Sequence, residues 1–312
     1  MDADVADDVS CYARSQRLAR AGRLAARADD GGDAMLDLNP HVKASKYILC
    51  LIAVCACGGR DVGRRDSNPA DAHPTVLRAA AASDLIDVLP AWAQAFEAKT
   101  GVAVQPTFGS SGKLAEQIRA GAPYDVFLSA DRALVESLAR DGAILNDSAR
   151  PYAVGRLALA VRSDLASRLR TLDDLKRPEV KVIAVANPDV APYGRAARAT
   201  LTHAKLWDVL HDKVVLVENV RQALQHVESG DADAAFVSRS AVPAGAVSFV
   251  NLDPSAYEPI VQTLGVVARS ASPGQAEEFA RFILSDEGRA ILLAFGFDAP
   301  AISPQAHPAA GR

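Results

Sequence analysis

The chain has 312 residues, 49% of them hydrophobic, and a formal net charge of −4. That length suggests roughly two domains with ample core. Aromatics are only 5% and no basic cluster is interleaved with them, which argues against a nucleic-acid surface. All four cysteines, Cys11, Cys50, Cys55 and Cys57, precede residue 60, so neither a disulfide framework nor a cysteine metal site can form in the body of the protein.

Residues 1–34 are rich in Ala, Arg and Asp without sustained apolar periodicity. The pattern changes at Met35. His41, Lys43 and Lys46 make a basic segment, and Tyr47 to Ala56 is a short apolar run. The run is too short for a membrane-spanning helix, which needs roughly 20 residues, but it has the build of an export signal. Met35 therefore reads as the true start; a disordered extension is the alternative for 1–34. Ala56-Cys57-Gly58 resembles a bacterial lipoprotein signal, which would leave Cys57 lipidated at the mature N-terminus. Ordinary cleavage near Ala56 is the other reading. Residues 1–57 are thus assigned to extension plus signal, and 58–73 to a polar Gly- and Pro-containing tether. The folded body starts at about Pro74.

Within the body, 75–81 reads as a strand and Ser83 as the N-cap of a helix to about Lys99, stopped by Gly101 and kinked at Pro90. A strand over 102–108 leads through Gly109-Ser-Ser-Gly112 into an amphipathic helix. A buried strand at 124–129, a helix at 131–140 and one long strand across 152–162 follow. Further strands are expected at 180–185, 214–217, 233–237, 247–250 and 260–268. Helices are expected from the 187–194 loop to about His203, from Val220 to about Glu228, and over 273–285 and 287–294. The alternation is that of an α/β protein.

Four strand-to-helix junctions share one feature: Ala81-Ala-Ser-Asp84, Gly109-Ser-Ser-Gly112, Ala191-Pro-Tyr-Gly194 and Glu218-Asn-Val-Arg221. Each offers free backbone N–H groups, two add serine hydroxyls, and none clearly directs a Lys or Arg inward. The helix after Ser110 even lacks an acid in its first turn, where the positive helix end would favour one. A helix start with neutral donors is a ready anion site.

From about Leu77 to Phe297 the chain resembles the periplasmic molybdate-binding proteins of molybdate ABC transporters. The resemblance is carried by Ala79-Ala-Ala-Ala-Ser-Asp-Leu85, Phe96-Glu-Ala-Lys-Thr-Gly101, Phe108-Gly-Ser-Ser-Gly112 and the run from Ala120 to Asp131. The run from Ala186 to Ala197, Val217-Glu-Asn-Val-Arg-Gln-Ala-Leu224 and Phe295-Gly-Phe297 add to it. It implies a two-lobed α/β fold of the type II periplasmic binding class with two chain crossovers. Lobe one would hold 74–152 and 243–312, and lobe two 153–242. It also implies an oxyanion in the cleft, held by hydroxyl and N–H groups of Ser83 and Ser111 and by the N–H groups of Tyr193 and Val220. Molybdenum would enter only as bound molybdate. No cofactor and no nucleic acid are expected. The implied partners are molybdate or tungstate and an ABC permease, and the implied state is an exported monomer.

One departure stands out. Some members place a tyrosine hydroxyl on the ligand after the last strand of lobe two, and this chain has Val237 at that position; the Asp84 N–H is the candidate replacement donor. The resemblance further implies that the Asp84 carboxylate faces outward, which would disfavour hydrogen phosphate, whose proton needs an acceptor; an inward carboxylate would make phosphate plausible.

Other readings stand beside this one. A binder of sulfate or another small tetrahedral oxyanion fits the same donors. A serine hydrolase using Ser83 or Ser111 needs an oriented base; the first candidate is Lys113, and no Gly-x-Ser-x-Gly elbow is present. Gly109-Ser-Ser-Gly-Lys113 has the wrong spacing for a nucleotide-binding P-loop. Arg195 and Arg221 read as solvated rim charges, and the six histidines show no metal-ligand spacing.

Overall fold

The computed structural model describes residues 76–242 and 247–300; these lie in one of the two contact units of the chain. The export signal, Cys57, the tether and the alternative start at Met35 fall outside the described residues.

Val76–Ala82 (β1) is the first strand. A tight 3-10 turn, Ser83–Leu85, follows, and then the helix Leu89–Thr100 (α1), ended by Gly101 at φ 71°. The single kinked helix expected from Ser83 does not form. Pro90 lies in the first turn of α1, where a missing N–H breaks no helical bond. Ala103–Gly109 (β2) leads into Ser111–Arg119 (α2). Val126–Ser129 (β3) leads into Arg132–Arg140 (α3), capped by Asp131, which accepts from the Ala133 N–H. The apolar run expected as one strand is two, Arg150–Gly155 (β4) and Leu157–Val161 (β5). Ile183–Ala186 (β6) precedes Pro192–His203 (α4), and Val214–Val217 (β7) precedes Val220–Ser229 (α5). Ala234–Ser238 (β8), Ser248–Asn251 (β9) and Ile260–Val266 (β10) complete the strands. Pro273–Leu284 (α6) and Asp286–Ala294 (α7) are the last described helices.

The strands form two five-stranded sheets, ordered β2-β1-β3-β10-β4 and β7-β6-β8-β5-β9. In each sheet three neighbouring strands are parallel and the strand entering from the other lobe is antiparallel to them. Parallel strands are buried on both faces, and the sequences show it: β3, β6 and β8 are buried at every position. The first core packs Trp92 and Phe96 of α1 on Phe279 and Phe282 of α6, with Phe96 and Phe279 rings 5.0 Å apart. The Trp92 indole N–H donates to the Gly288 carbonyl at 2.8 Å and so fixes α7. The second core gathers Leu159, Ile183, Leu224 and Phe236.

The sheets also locate the crossovers. β4 pairs with β10 in the first sheet, and β9 pairs with β5 in the second. The chain therefore changes lobe at Arg156 and again between 252 and 259, not at 152/153 and 242/243 as expected. The reason for the second shift is that β9 continues the sheet of lobe two before the chain leaves it. The crossovers lie side by side, since the Leu157 N–H donates to the Tyr257 hydroxyl at 3.1 Å.

Candidate functional site

The parallel register of β1 and β2 pairs Ala82 with Gly109, so Ser83 and Ser110 are the next residues out, side by side at the edge where open α/β sheets bind ligands. Ser83, Ser110 and Ser111 are all buried. The Ser111 hydroxyl accepts the Ala130 N–H at 3.0 Å, which leaves its own proton for donation. Ser110 occupies the N-cap position of α2 without capping it, and its Oγ is buried with no hydrogen-bond partner. Sequence reasoning passed over Ser110; its signal was the serine pair itself at a strand end.

The second lobe supplies two helix starts. Ala191 precedes α4 without a side-chain cap, so the first-turn N–H groups, Tyr193 among them, have no acceptor within the helix. At α5 the Asn219 side chain accepts from the N–H groups of Arg221 and Gln222, each at 3.1 Å. Val220, the first helical residue, keeps its N–H outside that cap.

The structure brings these junctions together. The Gly112 N–H donates to the Val190 carbonyl at 2.9 Å, so the start of α2 abuts the loop that opens α4. A Cβ at Gly112 would stand 2.7 Å from that carbonyl oxygen; glycine permits the approach. The Ser83–Leu85 turn packs on α5, which places Ser83 beside the helix that begins at Val220. Tyr193 reaches back to the same turn through its hydroxyl, which donates to Asp84 Oδ2 at 2.8 Å.

That last bond corrects an expectation. The Asp84 carboxylate does not face outward. It is buried between the lobes, where the Gln262 amide also donates to Oδ2, while Oδ1 is buried without a partner. Burial pushes its pKa up to about 6, against the pull of the Tyr193 and Gln262 hydrogen bonds. The Tyr193 hydroxyl accepts from Ser238 Oγ at 3.0 Å, and Ser238 and Ser240 share a hydrogen bond at 2.7 Å. On the other flank the Tyr152 hydroxyl donates to Gln262 Oε1 at 2.7 Å. Val237 is a fully buried core residue paired with Ala158; the hydroxyl at the end of β8 belongs to the next residue, Ser238. Sequence reasoning missed Gln262 as well, although a glutamine within the apolar run of β10 was a visible signal.

The cations around the cleft are paired. Lys113 Nζ lies 3.2 Å from Glu218 of the other lobe, which engages the first candidate base for a serine nucleophile. Arg195 pairs with Asp131 across the lobes. Arg221 is not a solvated rim charge: its side chain is 15% exposed and lies 3.5 Å from Glu228. Among the described residues no cluster of His, Cys, Asp and Glu could hold a metal ion. The arrangement offers neutral hydrogen-bond donors from two lobes, suited to an acceptor-only anion.

Comparison with known proteins is consistent with this geometry. The profile of the bacterial extracellular solute-binding proteins matches residues 77–298. Over 213 residues the chain is 32% identical to the molybdate-binding protein ModA of Azotobacter vinelandii, spanning 66% of this chain and 82% of that one. Over 200 residues it is 32% identical to the ABC transporter substrate-binding lipoprotein YvgL of Bacillus subtilis, spanning 64% and 76%. The solved periplasmic molybdate-binding protein of Azotobacter vinelandii superposes with a TM-score of 0.68 at 34% identity, over 72% of this chain and 99% of that one. With the profile spanning both lobes and both crossovers, the chain belongs to the bacterial extracellular solute-binding proteins.

Proposed function

We propose that this protein captures molybdate, and tungstate with it, outside the cytoplasm and delivers it to the membrane permease of an ABC transporter. The observation that carries the reading is the meeting of donor-bearing turns from both lobes in a cleft where Lys113, Arg195 and Arg221 are each paired with an acid. Ser83 and Ser111 donate through hydroxyl and N–H groups, Tyr193 and Val220 through N–H groups. The Asp84 N–H and the Ser110 hydroxyl are further donors. Each helix start favours a negative charge by about 0.3–1 kcal/mol when exposed and up to about 2 kcal/mol when partly buried. Each charge-assisted hydrogen bond adds roughly 1.5–3 kcal/mol. Several together offset the desolvation of a small dianion without a bound cation.

Hydrogen phosphate carries a proton that needs an acceptor; Asp84 Oδ2 already holds two donors, but Oδ1 is buried without one, so phosphate is the control that tests whether Oδ1 serves the cleft. Sulfate, also an acceptor-only tetrahedral dianion, differs from molybdate for such a site in size alone. The protein acts as a monomeric binder, not an enzyme, and uses no cofactor. Cys57 carries a lipid anchor, and residues 58–73 give the body reach from the membrane.

The test is thermal unfolding of the anion-free protein with molybdate, tungstate, sulfate and phosphate. A ligand at 100 times its Kd stabilises by about 2.7 kcal/mol, a rise of about 5–10 °C for a body of this size. Molybdate and tungstate are expected to give it and phosphate is not. An equal shift with sulfate would favour the sulfate reading, and no shift with any oxyanion would refute both.

A further inference from the structure

Asp84 is held from both lobes. Its Oδ2 accepts from the Tyr193 hydroxyl of α4 in lobe two and from the Gln262 amide of β10 in lobe one. Behind them stand Ser238 on the lobe-two side and Tyr152 on the lobe-one side. The Asp84–Tyr193 bond therefore exists only while the lobes are together. Gly155, at the first crossover, leaves room for it: a Cβ there would stand 2.2 Å from the Tyr193 hydroxyl oxygen.

The surroundings give the carboxylate no countercharge. α4, β4, β10 and β8 present Tyr193, Tyr152, Gln262 and Ser238, and burial holds both tyrosines un-ionised. α5, packed on the Ser83–Leu85 turn, carries Arg221, His226 and Glu228. The turn Arg239–Ala241, also packed there, carries Arg239, whose guanidinium lies 3.9 Å over the Phe249 ring. β2 has no ionisable side chain. None of these cations bonds to Asp84. Burial penalises the charged form while the two donors on Oδ2 favour it; a proton added to the carboxyl would sit on the bare Oδ1.

We propose that Asp84 is a positioning residue that latches the two lobes through Tyr193, and that anion capture at the adjoining Ser83 places a proton on its carboxyl. The inference rests on the function proposed above, since it takes the ligand to be an oxyanion held at Ser83 and Ser111. The step is a simple protonation: a carboxylate and one proton from solvent give a neutral carboxyl, and no other covalent bond changes. A dianion beside Asp84 adds like-charge repulsion to desolvation, and both favour the neutral form. With the lobes together and no anion bound, burial raises this carboxyl to about 6, so a dianion added beside it near neutral pH favours taking a proton up.

The experiment is calorimetric titration of the anion-free full chain with molybdate at pH 5.5, 7 and 8, in buffers of different ionisation enthalpy. Uptake of close to one proton is expected at pH 7 and less at pH 5.5, with affinity falling about tenfold between pH 7 and 8. Asp84→Asn, a neutral isostere that still accepts from Tyr193, should bind with no such pH slope. Tyr193→Phe removes a bond that favours the carboxylate, so the onset of uptake should move to higher pH. Binding without proton uptake at pH 7, or an unchanged slope in Asp84→Asn, overturns the latch and leaves the anion reading standing. No heat with molybdate, tungstate or sulfate at any pH removes the anion reading itself.

Discussion

Replacing Asp84 by Asn should change how stability depends on pH even with no ligand present. The unfolded chain ionises this carboxyl near its ordinary value of 3.8, and the folded chain near 6 because burial penalises the charge. Between those values the folded protein keeps a proton that the unfolded chain has released, so stability falls as pH rises through the window and the full cost is present above it. About two pKa units correspond to about 3 kcal/mol. Asn carries no charge and loses the window. Its extra amide hydrogens need acceptors where Oδ1 had none, which costs about 1–3 kcal/mol at every pH. The variant should therefore be less stable than the parent at pH 4 and level with it or better at pH 7. The informative quantity is the change in that difference, a little over ~2 kcal/mol between the two pH values. Urea unfolding of the anion-free protein, followed through the buried Trp92, measures it. With a urea slope of about 3 kcal/mol/M, the gap between the two midpoints should move by about 0.8 M. A difference that stays constant from pH 4 to pH 7 would show that Asp84 does not titrate in this window.

Two further substitutions probe the cleft directly. Gly112→Ala puts a Cβ 2.7 Å from the Val190 carbonyl oxygen, an overpacking that costs about 1–3 kcal/mol and falls on the closed arrangement. Molybdate affinity should drop roughly 5- to 150-fold while the denaturation midpoint of the anion-free protein holds. Ser110→Ala removes a buried hydroxyl that has no protein partner; the anion-free protein should be unchanged or slightly more stable, whereas loss of a charged hydrogen bond of about 1.5–3 kcal/mol should weaken molybdate binding tenfold or more. Equal affinity in Ser110→Ala and the parent would remove Ser110 from the donor set.

Much of the fold was legible because each lobe is built from local patterns. β3, β6 and β8 are short apolar runs bounded by turn residues, and Asn219 marks the start of α5 by capping it. Where the reading failed, the deciding contact was distant in sequence. The Gly155-Arg156 step was a weak local sign inside the run 152–162; the run divides because β4 finds β10 and β5 finds β8 and β9. The 83–100 stretch misled because Ser83 resembles a cap, while Pro90 fits only the first turn of a helix. Ser83, Ser111, Tyr193 and Val220 were named through the family resemblance, and each stands in the opening residues of a turn or helix. The Asp84 network was not, since it joins residues up to 178 positions apart and depends on which way one carboxylate turns.

The contacts that join the lobes explain why such a cleft can respond to an anion at all. The Lys113–Glu218 pair is about half exposed at both ends, and pairs of that kind contribute about 0–1 kcal/mol. The Gly112–Val190 bond is a single backbone hydrogen bond, worth about 1 kcal/mol net. The Asp84–Tyr193 bond is offset near neutral pH by the charge it buries. Set against the freedom lost when two lobes dock, these terms leave closure close to balance. A ligand shifts such a balance only by its differential affinity for the closed state. An anion that takes N–H groups from α4 and α5 as well as hydroxyls from Ser83 and Ser111 has all of its lobe-two contacts only when the lobes meet, so nearly all of that part of its binding energy is differential. Moving the balance from one part in a hundred closed to ninety-nine needs about 5.5 kcal/mol, which two to four charged hydrogen bonds supply. A fixed cation in lobe one would instead hold the anion in the open form too, and would waste that leverage; neutral donors divided between the two lobes would tie capture to closure.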